Sequence, residues 1–172
     1  PHCGVRINME ITLQAYDREN EETILRFITA FFHAHHSRID EIQARENLKN
    51  WTDIDHELFY ILGDGKPVGF LHLHMRGSTV CWIEDVFVNE NLRKQGIASK
   101  AIGLVEEILQ KRNVTGICMD VVPDNTSALK LYHRLGYDRL SIVTVRKDLQ
   151  PFETERTEQI FGLDFRVKKF EN

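Results

Sequence analysis

The chain has no long apolar run. Nowhere in its 172 residues is there a stretch near the ~18 apolar residues that a membrane-spanning helix needs, so no membrane partner is expected. It also lacks a basic excess. Its 22 Lys and Arg stand against 26 Asp and Glu, a net charge of -4, which argues against a general nucleic-acid binder. Cysteine is scarce. Cys3, Cys81 and Cys118 are odd in number and widely spaced, and two lie in apolar segments. They read as reduced core cysteines of a cytoplasmic protein rather than a disulfide framework. No secretory leader, internal repeat, low-complexity tract or linker is recognisable, so one domain over residues 9–172 is expected. Residues 1–8 have no periodicity and read as a disordered or artificial leader ahead of Met9. There is no Gly-x-Gly-x-x-Gly fingerprint and no Gly-Lys-Ser/Thr ending of a P-loop. His72 and His74 alternate on one strand, but no third ligand sits at metal spacing, so no metal is expected.

What the chain does have is a short basic loop, Arg93-Lys94-Gln95-Gly96-Ile97-Ala98. Before it, residues 80–88 are rich in β-branched and aromatic types and read as a buried strand. After it, Ala98, Ala101, Ile102, Val105, Ile108 and Leu109 recur at helical spacing. The loop therefore feeds a helix N-terminus, where unpaired N–H groups and the dipole favour an anion. Gly96 permits close approach of a phosphate to the backbone, and Arg93 and Lys94 add charge at the rim.

The remaining pattern is legible from Met9 onward. Residues 10–16 alternate as a strand. Residues 20–36 and 38–50 read as helices, the first with Ile24, Phe27, Ile28 and Phe31 on one face. Residues 58–62 and 68–75 read as strands joined by the Gly63-Asp64-Gly65-Lys66 turn. A helix over 95–112 is followed by an apolar strand over 116–122. Pro123-Asp124-Asn125 then starts a helix that Gly136 ends, and residues 137–145 read as the last sheet strand. In the tail, Phe161, Leu163, Phe165 and Val167 alternate with polar residues as an extra, half-buried strand within the extension 150–172, at the sheet edge or against a second subunit. The order is β-α-α-β-β-β-α-β-α-β, an α/β (α+β) fold with a mixed sheet and helices on its faces.

Arg93, Gly96 and Ala98 match the Arg/Gln-x-x-Gly-x-Gly/Ala motif, and Asn125, Ala128, Tyr132, Gly136 and Tyr137 match Asn-x-x-Ala-x-x-x-Tyr-x-x-x-Gly-Phe/Tyr. With the element order, this resembles the GNAT superfamily of N-acetyltransferases. The resemblance implies the acyl-CoA N-acyltransferase fold, with acetyl-CoA as co-substrate. Amides of Arg93, Lys94, Gln95, Gly96, Ile97, Ala98 and Ser99 would hold the pyrophosphate. The pantetheine would pair with backbone around Val86, Phe87 and Val88, with Asn125 and Tyr132 contributing from the next helix. The chain departs from the family at Glu90, where Pro is frequent, and at Lys94 and Ala98, where Gly is frequent. Glu90 is mildly unfavourable for phosphate.

Glu84 and Asp85 are two adjacent carboxylates in an otherwise apolar strand, where a lone charge is costly. Alternation sends them to opposite faces unless a bulge intervenes. The segment resembles the strand of diamine and polyamine acetyltransferases in which the residue matching Glu84 meets the substrate amine. Glu84, directly or through water, is then the candidate base, with Asp85 beside it in substrate binding. Pairing of either with Lys or Arg in a structural role stays open. The Val86 amide is a candidate for polarising the thioester. Tyr132 is the candidate acid for the thiolate, or else packs on its helix stripe. Asn125 caps its helix, contacts the pantetheine, or does both. His72 or His74 could line the acceptor pocket. The expected partners are a small-molecule amine and a second copy of the chain in a homodimer. Acetylation of a protein N-terminus or lysine, or non-catalytic acyl-CoA sensing, are the alternatives.

Overall fold

In a computed structural model of the chain, residues 9–35, 37–150 and 155–168 are described. They fall into two compact units, one ending at Met119 and one beginning at Asp120. Residues 1–8, Cys3 among them, lie outside the described residues, as does His36.

The first unit is a five-stranded sheet in the order β1-β2-β3-β4-β5. Its strands are β1 (Ile11–Ala15), β2 (His56–Gly63), β3 (Lys66–Met75), β4 (Val80–Val88) and β5 (Gly116–Cys118). The first four pair antiparallel, and β4 pairs with β5 in parallel. The β2–β3 hairpin turns on Asp64 and Gly65, both at positive φ (49° and 75°), the conformation a two-residue turn needs to match strand twist.

Helices α1 (Glu21–Ala34) and α2 (Glu41–Trp51) cover one face of the sheet. There Ile24, Phe27, Ile28, Leu48 and Trp51 pack on Leu58, Tyr60, Phe70 and Phe87 in one buried cluster. A reciprocal capping box between Asp40 and Gln43 starts α2. His35 bonds the Phe31 carbonyl at the end of α1 (2.8 Å), a placement that suits the helix C-terminus. The alternate residues Phe59, Ile61, Leu71, Leu73 and Ile83 are buried on the other face, where α3 (Ile97–Lys111) packs against β1 and β4. Cys81 is buried there, its thiol pushed up to about 11 chiefly by burial.

In the second unit α4 (Thr126–Arg134) begins at Asn125, whose side chain accepts from the Ala128 N–H (3.1 Å). It ends at Gly136 with φ +96°, as the turn signals require. Two strand expectations are corrected here. Residues 119–122 and 137–145 are not strands. Leu140, Ile142 and Val145 stay exposed: alternation fixes which face a strand would bury, but a strand also needs a ladder partner, and none pairs there among the described residues. The tail also differs from a single strand. It is a hairpin of β6 (Glu155–Ile160) and β7 (Leu163–Lys168). Phe161 and Gly162 form its turn at φ 54° and 75°, so Phe161 is a turn residue and stays exposed, while Val167 is buried.

Candidate active site

Strand β4 builds the site through three local features. The first is a bulge. Going along β3, His72 pairs with Asp85, but Leu73 pairs with Ile83. Glu84 is the extra residue, and one extra residue cancels the alternation of side chains beyond it. Both carboxylates therefore face the α1–α2 side. Asp85 Oδ2 is bonded to His72 Nδ1 (2.9 Å), and Glu84 Oε1 to His74 Nδ1 (3.1 Å). The expectation of opposite faces is overridden by the bulge.

The second feature is a stack of imidazoles beneath these carboxylates. His56 lies against His74 with ring centroids 3.9 Å apart and against His72 at 5.1 Å. Trp51 of α2 also stacks on His72 at 4.8 Å. His72 is only 2% exposed, and both of its nitrogens are used, since Nε2 meets His56 Nδ1 at 2.9 Å. An ionised Asp85 can only accept, so His72 Nδ1 donates to it. His72 Nε2 then accepts from His56 Nδ1. Burial, then the neighbouring charges of His74 and His72, lower the pKa of His56. That keeps it neutral near pH 7.

Glu84 has a different environment. Burial pushes its carboxyl up. Bonds from Arg76 and His74 outweigh this, so its pKa lies below the usual range. Arg76 reaches Glu84 Oε1 with Nη2 at 2.6 Å and Nε at 3.1 Å, and also lies over the Trp82 ring. The shared face of His72 and His74 was legible from their alternation. Arg76 continues that alternation, and His56 follows from the register of β2 (His56 opposite His74). Local pattern does not mark His56, which precedes the strand expected over 58–62, or Arg76, which lies just past the end of β3.

The third feature is an open edge. β5 pairs with β4 only from Val80 to Trp82. From Ile83 to Val88 the β5-facing edge of β4 has no strand partner among the described residues. Just beyond it, Gly96 caps α3 in the left-handed conformation (φ +81°), with no side-chain cap. A Cβ placed on Gly96 would meet nothing within 4 Å, so the space before the helix N-terminus is open. Arg93 donates from Nε to the Val88 carbonyl (3.1 Å) and lies over the Phe87 ring. It thus ties the loop to the strand end. Lys94, Gln95 and Gly96 are exposed, Ile97 is buried, and Ala98 and Ser99 are half-buried. A free helix N-terminus beside an unpaired strand edge fits an extended, phosphate-bearing cofactor.

Asn125 and Tyr132 belong to the second unit. Asn125 is the α4 cap, and half-buried Tyr132 packs edge-on against Tyr137 (6.2 Å). Among the described residues no group of three or more His, Cys, Asp or Glu could hold a metal ion, and no helix is long and apolar enough to cross a membrane.

Residues 18–137 match the family described as Acetyltransferase (GNAT) family. The chain belongs to that family. Aminoglycoside N(6')-acetyltransferase type 1 of Salmonella typhimurium is 26% identical over 88 residues, 46% of this chain and 61% of that protein. The match thus spans less than two thirds of that relative. The solved structure of aminoglycoside N-acetyltransferase AAC(6')-Iy in complex with CoA superposes with a TM-score of 0.66 at 16% identity, over 83% of this chain and 97% of that one. A possible acetyltransferase from Clostridium difficile 630 gives 0.69 at 17% identity, over 82% and 99%. At these identities the structural likeness establishes the fold, a mixed α/β GNAT architecture.

Proposed function

We propose that this protein is an acetyl-CoA-dependent N-acetyltransferase that acetylates a primary amine of a small cationic molecule, aminoglycoside- or polyamine-like, by direct attack in a ternary complex. The observation that carries this reading is the bulge at Glu84. It brings two carboxylates to one face where β4 parts from β5, one strand-length from an open helix N-terminus. A sensor of acyl-CoA needs the helix N-terminus but has no use for paired carboxylates. The aminoglycoside acetyltransferases among the relatives support a small amine as acceptor.

In this reading the amides of residues 93–99 hold the pyrophosphate, and the β4 edge at Val86, Phe87 and Val88 pairs with the pantetheine. The Val86 amide polarises the thioester carbonyl. One of the carboxylates Glu84 and Asp85 takes the ammonium proton and the other binds the cation. The amine nitrogen bonds to the acyl carbon, the C–S bond breaks, the Tyr132 hydroxyl protonates the departing thiolate, and the second proton lost by the nitrogen, carried by water, restores the Tyr132 phenol. Asn125 caps α4 and contacts the pantetheine.

Free-thiol release from acetyl-CoA with sisomicin, neamine, spermidine and a lysine peptide tests the reaction. Coenzyme A binding without acetylation of any amine would replace it with a sensor role. Tyr132→Phe tests the acid: turnover should fall about 10²–10⁴-fold while acetyl-CoA affinity stays near normal. Full turnover would make Tyr132 a packing residue.

A further inference from the structure

We propose that Asp85, rather than Glu84, is the carboxylate that takes the acceptor's ammonium proton, and that His72, backed by His56, is the positioning residue that holds Asp85 for this step. The assignment rests on the N-acetyltransferase reading above and reverses the sequence-based expectation of Glu84 as base with Asp85 in substrate binding.

Glu84 is committed elsewhere. A single oxygen, Oε1, receives both Arg76 bonds and the His74 contact. Its charge is matched by a guanidinium, and its lowered pKa agrees with that geometry. Taking a proton, even at Oε2, would discharge the carboxylate that Arg76 holds and weaken these bonds. Asp85 faces no cation in the hydrogen bonds and ion pairs of the described residues. Its one partner there is the His72 imidazole, on Oδ2. Oδ1 keeps an open lone pair, and the side chain is 18% exposed, enough for a ligand to reach and too little for free hydration.

The imidazole behind Asp85 has no freedom to turn. Trp51 stacks on His72, His56 bonds its edge, and each of its nitrogens has a partner. The bonds run in one direction, from His56 Nδ1–H to His72 Nε2 and from His72 Nδ1–H to Asp85 Oδ2. The acceptor-only carboxylate of Asp85 fixes the His72 tautomer, and the His56 N–H completes the chain at Nε2. This is a carboxylate set in position through one oxygen by a fixed donor.

The proton step balances within the site. An ammonium N–H bond breaks, an O–H bond forms at Asp85 Oδ1, and the freed nitrogen pair attacks the thioester. A cation and an anion become two neutral groups, so no net charge is left in a poorly solvated place. Product release lets Oδ1 return the proton to water. The charged and titratable groups that face this unit are Glu84, Arg76, His74 and His56, with Asp53 near His56.

The test compares Asp85→Asn, Glu84→Gln, His72→Asn and His72→Leu in the full chain. Sisomicin, neamine and spermidine serve as acceptors, and kcat and kcat/KM are followed from about pH 6 to 10. Asp85→Asn should lower kcat about 10²–10⁴-fold, with the loss shrinking at alkaline pH, where more free amine is already deprotonated. Glu84→Gln should chiefly raise KM, independent of pH. His72→Asn keeps an amide donor where Nδ1 stood and should retain the wild-type pH profile. His72→Leu removes the donor and should shift it. An alkaline-rescued loss in Glu84→Gln with near-normal Asp85→Asn would overturn the assignment, as would an unshifted profile in His72→Leu. If the His72 variants fail to fold, the Asp85–Glu84 contrast decides alone. A wild-type enzyme that acetylates none of the three amines would instead remove the acetyltransferase reading, and this assignment with it.

Discussion

The loop at residues 93–99 and the carboxylate–imidazole patch on β2–β4 are joined by one strand, yet they present opposite kinds of surface. The loop offers backbone. The first amides of α3 have no side-chain cap, the geometry is set by the left-handed Gly96, and Arg93, Lys94 and Gln95 are exposed. The patch offers side chains. His72 is buried, its bonds are one-to-one, and everything depends on a single extra residue in β4. A backbone site tolerates exchange of side chains but not of φ. A side-chain site tolerates neither a register slip nor loss of one partner, since the group left behind is buried and unsatisfied.

The sharpest way to break the backbone half is Gly96→Asp. The space there is open, so the change acts through conformation and charge rather than a clash. A φ of +81° strains any side chain, and a carboxylate at the helix N-terminus competes with the pyrophosphate for the same amides. Losing two charge-assisted bonds, each ~1.5–3 kcal/mol, weakens acetyl-CoA binding on the order of 10²–10⁴-fold. The fold should survive. Calorimetric titration with unchanged affinity would remove the phosphate assignment.

The same contrast explains what could be read from residues alone. The loop was legible because a helix N-terminus after a strand needs only Gly96, the basic rim and the apolar periodicity that follows. The core helices and strands β1–β4 were legible for the same reason, each carrying its own period. The bulge was not. Nothing in Ile83-Glu84-Asp85-Val86 distinguishes a regular strand from one that slips against His72 and Leu73, because a bulge is a property of the pairing. His56 escaped notice because its role comes from standing opposite His74. The strand expected over 137–145 failed in the converse way, with a local pattern present and no partner strand to complete it.

The side-chain half can be sharpened by pH. His56 has a folded pKa below its ordinary 6.5, from burial first and the adjacent imidazoles next. A depressed pKa contributes stability that is full above 6.5 and is lost as pH falls through the folded value. His56→Gln removes that term while keeping a polar side chain. Its melting temperature should sit below wild type at pH 8, through the lost bond to His72, and the gap should narrow toward pH 5 by no more than a few degrees. A gap that is constant or widens on acidification would mean His56 does not titrate as part of the stack.

The smallest effect expected is at Lys94, and it probes the comparison most directly. Lys94 sits at φ +63° in the loop, a left-handed conformation that costs a non-glycine residue ~1–2 kcal/mol. Lys94→Gly relieves that strain and removes one exposed charge from the rim. If amides do the binding, the two changes act on different quantities. Stability should rise by up to ~1 kcal/mol, read as an increase of a few degrees in melting temperature. Acetyl-CoA affinity should fall only a few-fold, with the loss vanishing at high salt, because an exposed ammonium acts through a screened field. A loss comparable to that of Gly96→Asp, persisting in salt, would show that the loop recognises phosphate through the Lys94 side chain. The two halves of the site would then work alike.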